Sequence, residues 1–175
     1  MNRKIVFVVQ SVFESGPFYY LRPLIKSLVA HSVDIEVIVL GHEVSAESVT
    51  TEDRFTVHVV PRTRSRIELV GAIRQLIQQI DPAIIHCWGL EPRDVVTAAR
   101  LTLMNSQAKL VTTVFETELE SQSIVARTIS RCAADVLIAN HRSLVEPLAE
   151  SGLKASQVIS MNWLPDPVDL SLIHI

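Results

Sequence analysis

Seven short runs of nearly unbroken apolar residues punctuate the chain, at 5–9, 35–40, 57–60, 83–87, 110–114, 136–139 and 158–160. A strand with one wet face would alternate apolar and polar residues, whereas continuous runs mark strands buried on both faces. Between the runs, apolar residues recur at helical spacing. Over 18–31 the stripe is Leu21, Leu24, Ile25, Leu28 and Val29, and over 65–80 it is Ile67, Val70, Ile73, Ile77 and Ile80. Less regular stripes predict helices over 91–104 and 118–132, and a last one over 143–151 that ends at Gly152. Strand and helix alternating in this way predict an α/β fold, a doubly wound, mainly parallel sheet of six or seven strands with helices on both faces. Val6, Val8, Ile38, Ile85, Val111 and Ile138 are its expected core. In such a sheet ligands bind beyond the carboxyl ends of the strands. That directs attention to segments 10–17, 41–53, 86–91, 115–121 and 140–142.

Composition narrows the class. The chain has 175 residues, 48% of them apolar and 20% charged, which suits one domain with a full core and excludes disorder. A net charge of −3 and an aromatic content of 5% argue against a nucleic-acid partner, which would call for a basic field and stacking rings. The two cysteines, Cys87 and Cys132, form no disulfide framework, so a reducing, cytoplasmic setting is the expectation. The first apolar run is too short for a signal peptide, and no segment nears the roughly 18 apolar residues of a membrane span.

Three segments carry candidate chemistry. Glu14-Ser15-Gly16-Pro17 follows the first strand, where a glycine lets a ligand approach the backbone and free helix N–H groups can hold a phosphate. The same residues also suit an ordinary tight turn, and the dinucleotide-binding glycine spacing is absent. Pro82 to Gly89 is a strand ending in His86-Cys87-Trp88-Gly89 at the binding edge. One His-Cys pair without further ligands is a poor metal site, and a buried histidine bonded to backbone is the expectation there. The third segment is Asp135 to Ala139, a helix, Gly152, and then Pro165-Asp166-Pro167-Val168-Asp169.

In this order and at these spacings, the three segments resemble the group 1, or family 4, glycosyltransferases. Those open with a strand, a glycine loop and a leucine-bearing helix, matched by Gly16 and 21–28. They then carry a proline-initiated strand ending in His-x-Trp-Gly, matched by 82–89, and close the domain as 135–169 does. The resemblance implies one Rossmann-like half of a GT-B fold, with residues 1–169 as the N-terminal domain and 170–175 as the start of a connection to a second Rossmann-like domain absent from this chain. It implies a retaining transfer of sugar from a nucleotide-sugar donor, as substrate, to a carbohydrate or glycolipid acceptor, with no metal and no other cofactor.

Residue by residue, the resemblance sets Ser15 and Gly16 at the donor phosphates and Trp88, Gly89, Glu91, Asn140 and His141 on the acceptor side. It departs from the family where strand 110–114 runs into Phe115-Glu116 in place of a histidine that lies at the reacting sugar, so Glu116 and His86 are the candidate catalytic groups. Ser32 stands where a glycine is usual, and Asp166-Pro167 replaces Asn-Gly. The basic trio Arg62, Arg64 and Arg66 reads as a solvated loop, or as a contact for an anionic acceptor or the inner membrane surface. The loss of the histidine also leaves open a non-catalytic binding or scaffold domain derived from the family.

Overall fold

The computed structural model describes residues 4–10, 17–41, 55–61, 65–101, 107–115, 135–150 and 158–160. Its strands are β1 (Ile5–Val9), β2 (Ile35–Leu40), β3 (Thr56–Val60), β4 (Ile84–Trp88), β5 (Lys109–Val114), β6 (Val136–Ala139) and β7 (Val158–Ser160). Its helices are α1 (Pro17–Ala30), α2 (Arg66–Ile80), α3 (Leu90–Leu101) and the short α4 (Val145–Glu150), which a 3₁₀ turn at Arg142–Leu144 precedes. The strands form one seven-stranded sheet in the order β3-β2-β1-β4-β5-β6-β7, and every pairing is parallel. The expected doubly wound sheet is therefore present.

Strand register sorts the side chains onto two faces. Val6, Val8, Ile38, Ile85, Cys87 and Leu110 pack under α2 and α3 through Leu69, Ile73, Ile77, Val96 and Ala99. Phe7, Val9, Val37, Val39 and Trp88 pack on the other face, against Leu21 and Ile25 of α1. Val114, Leu137 and Ala139 meet Leu144 and Leu148 around α4. Two expected core residues differ. Val111 and Ile138 are only half-buried, on the α1 face but outside the cluster that Leu21 and Ile25 of α1 cover. Ile67 also leaves its expected stripe and is 86% exposed. The inward face of α2 runs through Leu69, Ile73, Ile77 and Ile80, and a residue two before Leu69 lies on the far side of a 3.6-residue helix.

The helix ends follow local chemistry. Ser65 caps α2 in a capping box, its Oγ accepting from the Glu68 N–H while the Glu68 carboxylate accepts from the Ser65 N–H at 2.8 Å. Past α1, the Ser32 N–H donates to the Val29 carbonyl and the Val33 N–H to that of Leu28, with Ser32 at φ 59°. This is the double-bonded left-handed ending that glycine usually supplies. At the amino edge, Glu36 receives Lys4 Nζ at 2.7 Å and His58 Nε2 at 2.6 Å. Burial acts to raise its pKa, and these two bonds outweigh that and hold it below the usual carboxylate range. The expected helix over 118–132 and the Gly152 cap lie outside the described residues.

Candidate functional site

The carboxyl edge is built around the end of β4. Strand parity puts His86 and Trp88 on the α1 face and Cys87 on the other. His86 pairs in register with Phe7 of β1 and Val111 of β5. Its ring stands 5.1 Å from that of Phe7 and 5.4 Å from that of Trp88, and the Trp88 ring lies 5.7 Å from Phe115. Four rings thus form a row that climbs toward the edge. Within it His86 is 7% exposed, and its Nε2 lies 2.8 Å from Thr113 Oγ1. Its partner is therefore a side-chain hydroxyl rather than the backbone. Burial pulls its pKa down to about 4, so the imidazole is neutral at neutral pH.

Trp88 is 3% exposed, which makes it a cap over the sheet end beneath α1 rather than an open platform. Gly89 follows at φ 107°, a conformation side chains rarely adopt, and its N–H donates to the Thr113 carbonyl at 3.0 Å. That turn sends the chain from β4 into α3 on the opposite face. On the α3 side, burial pushes the Cys87 thiol well above its ordinary range, so it is no nucleophile.

β1 and β4 are neighbours whose connections leave toward opposite faces, α1 on one and α3 on the other. Such a switch point opens a crevice. Gln10, just past β1, spans it by donating from Nε2 to Glu91 in the first turn of α3. Gly41, at the end of β2, lies close against Gln10, where a Cβ would meet the Gln10 carbonyl oxygen at 2.8 Å. Two strands over, the Asn140 N–H donates to the Val114 carbonyl at 3.0 Å and so continues the β5–β6 ladder by one step. His141 is exposed and caps the 3₁₀ turn, its Nδ1 accepting from the Ser143 N–H at 3.2 Å.

His86, Trp88, Gly89, Glu91, Asn140 and His141 thus all come to one edge, with the first two inside the fold and Glu91 and His141 at its surface. Ser15, Gly16, Glu116, Arg62 and Arg64 lie outside the described residues, while Arg66 is exposed at the start of α2. Sequence reasoning missed Thr113, and it reached Gln10 and Gly41 only as the first residues of segments 10–17 and 41–53. Thr113 gives no signal without the register of β5 on β4, and Gly41 is legible only as a glycine ending an apolar run. Among the described residues no group of three or more His, Cys, Asp or Glu side chains could hold a metal ion.

A fully parallel sheet wound on both faces, with polar groups gathered at a switch-point crevice, defines the class of doubly wound ligand-binding α/β domains. Within that class, the chain belongs to the family described as Glycosyl transferase 4-like, which matches residues 4–140. Solved structures share its fold. The lipopolysaccharide outer core galactosyltransferase WaaB, in its apo form, superposes with a TM-score of 0.68 at 15% identity, over 89% of this chain and 44% of that one. HepE from Anabaena in complex with UDP and glucose gives 0.68 at 16%, over 97% and 48%. UDP-N-acetylglucosamine 2-epimerase from Rickettsia bellii gives 0.68 at 11%, over 97% and 47%. The chain therefore spans about half the length of these proteins, and at such identities the likeness is one of fold. No curated protein matches significantly.

Proposed function

We propose that this chain is the N-terminal, acceptor-side domain of a retaining glycosyltransferase, which moves a sugar from a nucleotide-sugar donor to a carbohydrate or glycolipid acceptor. The observation that carries the reading is the family match over residues 4–140. The fold alone would not decide it, because epimerases share it. A nucleotide-sugar donor is supported by HepE, solved with UDP and glucose. In this reading Ser15 and Gly16 lie against the donor diphosphate, and the edge that holds Trp88, Gly89, Glu91, Asn140 and His141 receives the acceptor. Glu116 and the neutral His86 are the catalytic candidates, and the enzyme needs no metal because helix N–H groups and basic side chains balance the leaving diphosphate. We place the protein in the cytoplasm. Arg66 beside the exposed Ile67 supports a peripheral contact with the inner membrane face through Arg62, Arg64 and Arg66. Among the described residues no helix is long and apolar enough to cross a membrane.

The test is a panel of nucleotide-sugars offered to the product of the complete coding sequence, read by nucleotide release and by the anomeric configuration of any product. Release with retention supports the reading, whereas inversion or no release from any donor overturns it. Gly16→Val is expected to cut that activity about tenfold or more without unfolding the protein, since a branched side chain blocks close approach of a phosphate. Unchanged kinetics would reduce the loop to a turn. The 175-residue chain alone is expected to transfer no sugar, because half a cleft neither encloses a donor nor excludes water. One observation favours a second reading as a binding or scaffold domain. Phe115, where relatives have a histidine, is packed on Trp88 and can neither donate nor accept a hydrogen bond.

A further inference from the structure

We propose that Thr113 is the positioning residue of this edge, one side chain and one carbonyl that together set the β4–α3 turn and the aromatic row against the end of β5. Its Oγ1 lies 2.8 Å from His86 Nε2, and its carbonyl accepts the Gly89 N–H at 3.0 Å. Both bonds reach the same four-residue stretch, 86–89, which ends in the left-handed Gly89 and hands the chain to α3.

The hydroxyl bond is sealed from water, since Thr113 is 0% and His86 7% exposed. A buried imidazole that loses such a partner is costly to keep in place, so the hydroxyl fixes the orientation of the ring. That ring lies between Phe7 and Trp88, and Trp88 in turn meets Phe115 at the end of β5. Any tilt of His86 is therefore passed along close-packed rings to the edge itself.

The adjacent residue supplies the contrast. Thr112 is also 0% exposed, but it faces the α3 side next to Cys87, and its hydroxyl has no partner among the described residues. Two neighbouring threonines are equally buried, and only Thr113 joins two strand ends by its side chain. The activity part of this inference rests on the glycosyltransferase reading. A small misplacement of groups around a reacting sugar lowers turnover more than it lowers binding.

Three variants of the complete protein test it. Thr113→Val keeps the branched shape and removes the hydroxyl, Thr113→Ser keeps the hydroxyl, and Thr112→Val is the control. The readouts are the ring-nitrogen resonances of His86, the indole N–H of Trp88, and UDP release from UDP-glucose. Thr113→Val is expected to shift both resonances and to lower kcat roughly ten- to a hundredfold with KM within about twofold. Thr113→Ser is expected to restore both, and Thr112→Val to match the wild type. Unshifted His86 and Trp88 signals in Thr113→Val, or failure of Thr113→Ser to restore them, would overturn the proposal. If the wild type releases no nucleotide from UDP-glucose or from any other donor of the panel, the glycosyltransferase reading is what fails, and the resonances alone decide the role of Thr113. If Thr113→Val does not fold, the wild type still decides. A single His86 tautomer supports the clamp, and a mixture of tautomers overturns it.

Discussion

Ser32 holds φ at 59° while its own N–H and that of Val33 bond the end of α1, so the chain accepts backbone strain at a position where glycine would carry none. Ser32→Gly is expected to raise stability by about 1 kcal/mol, read as a higher urea midpoint at constant m. Glycine replacement sorts oppositely at two other positions. Gly71 lies on an exposed helix face with nothing within 4 Å of a new Cβ, so Gly71→Ala is expected to stabilise by about 0.5–1 kcal/mol. Gly41→Ala forces a Cβ to 2.8 Å from a backbone oxygen and is expected to destabilise. His86 gives a pH signature. Its folded pKa of about 4 lies below the ordinary 6.5, so between those values the unfolded chain binds the extra proton. Stability is then complete above pH 6.5 and falls by about 1.4 kcal/mol for each unit of acidification toward pH 4. Urea titrations at pH 7 and 5 check this, and His86→Asn is expected to flatten the slope. Residue-level burial was legible where the covering helix lies directly overhead, as for Val6, Val8, Ile38 and Ile85. It was not legible for Val111 and Ile138, which lie on the same face outside the cluster under α1.

Elements were read more reliably than residues, because continuous apolar runs leave few alternatives to buried strands. β1, β2, β6 and β7 begin and end where the runs do, while β3, β4 and β5 shift by about one residue, as strand ends commonly do. α2 shows how a correct helix can carry a misread stripe. Its start was signalled by Ser65, but Ile67 faces water. The capping box is the part of α2 most open to test. Ser65→Ala removes the acceptor for the Glu68 N–H and is expected to cost about 1 kcal/mol, checked by thermal unfolding. Ser65→Asp, which can still accept that bond, is expected to retain most of the stability. The site was legible as a set of strand ends and illegible as a set of contacts. Parity alone puts His86 and Trp88 on one face, whereas the Thr113 hydroxyl reaches His86 only through the pairing of β4 with β5.

At the scale of the molecule, alternation of strand and helix with right-handed crossovers leaves few orders for a parallel sheet, and the one adopted is among them. That much follows from periodicity. Membership of a glycosyltransferase family does not, since the same winding serves epimerases as well. The expectation of it came from the order of short motifs, Gly16, Pro82 to Gly89 and Asp135 to Asp169, none of them informative alone, and the family match over residues 4–140 shows it. Asp135 illustrates how such a motif residue can have a structural use. It accepts the Leu110 N–H at 2.7 Å and lies within 3.5 Å of Arg100 and 3.3 Å of Lys109. Burial acts to raise its pKa, but these partners hold it below the usual range, so its share of stability is lost as pH falls through that lowered value. Asp135→Asn is expected to weaken the protein at pH 7 and progressively less as pH falls through that lowered value, where the aspartate loses its charge as well.

β1 comes first in chain order among the strands of this sheet and stands in its middle, between β2 and β4. A nascent chain leaving the ribosome can pair it on one side once Leu40 is out, but its other side waits for residues 84–87. Until then Ile5–Val9, all five of them apolar, present an open template to any other unfinished strand. Synthesis between β1 and β4 is thus a vulnerable interval for this sheet, when slow translation or a missing chaperone favours aggregation over folding.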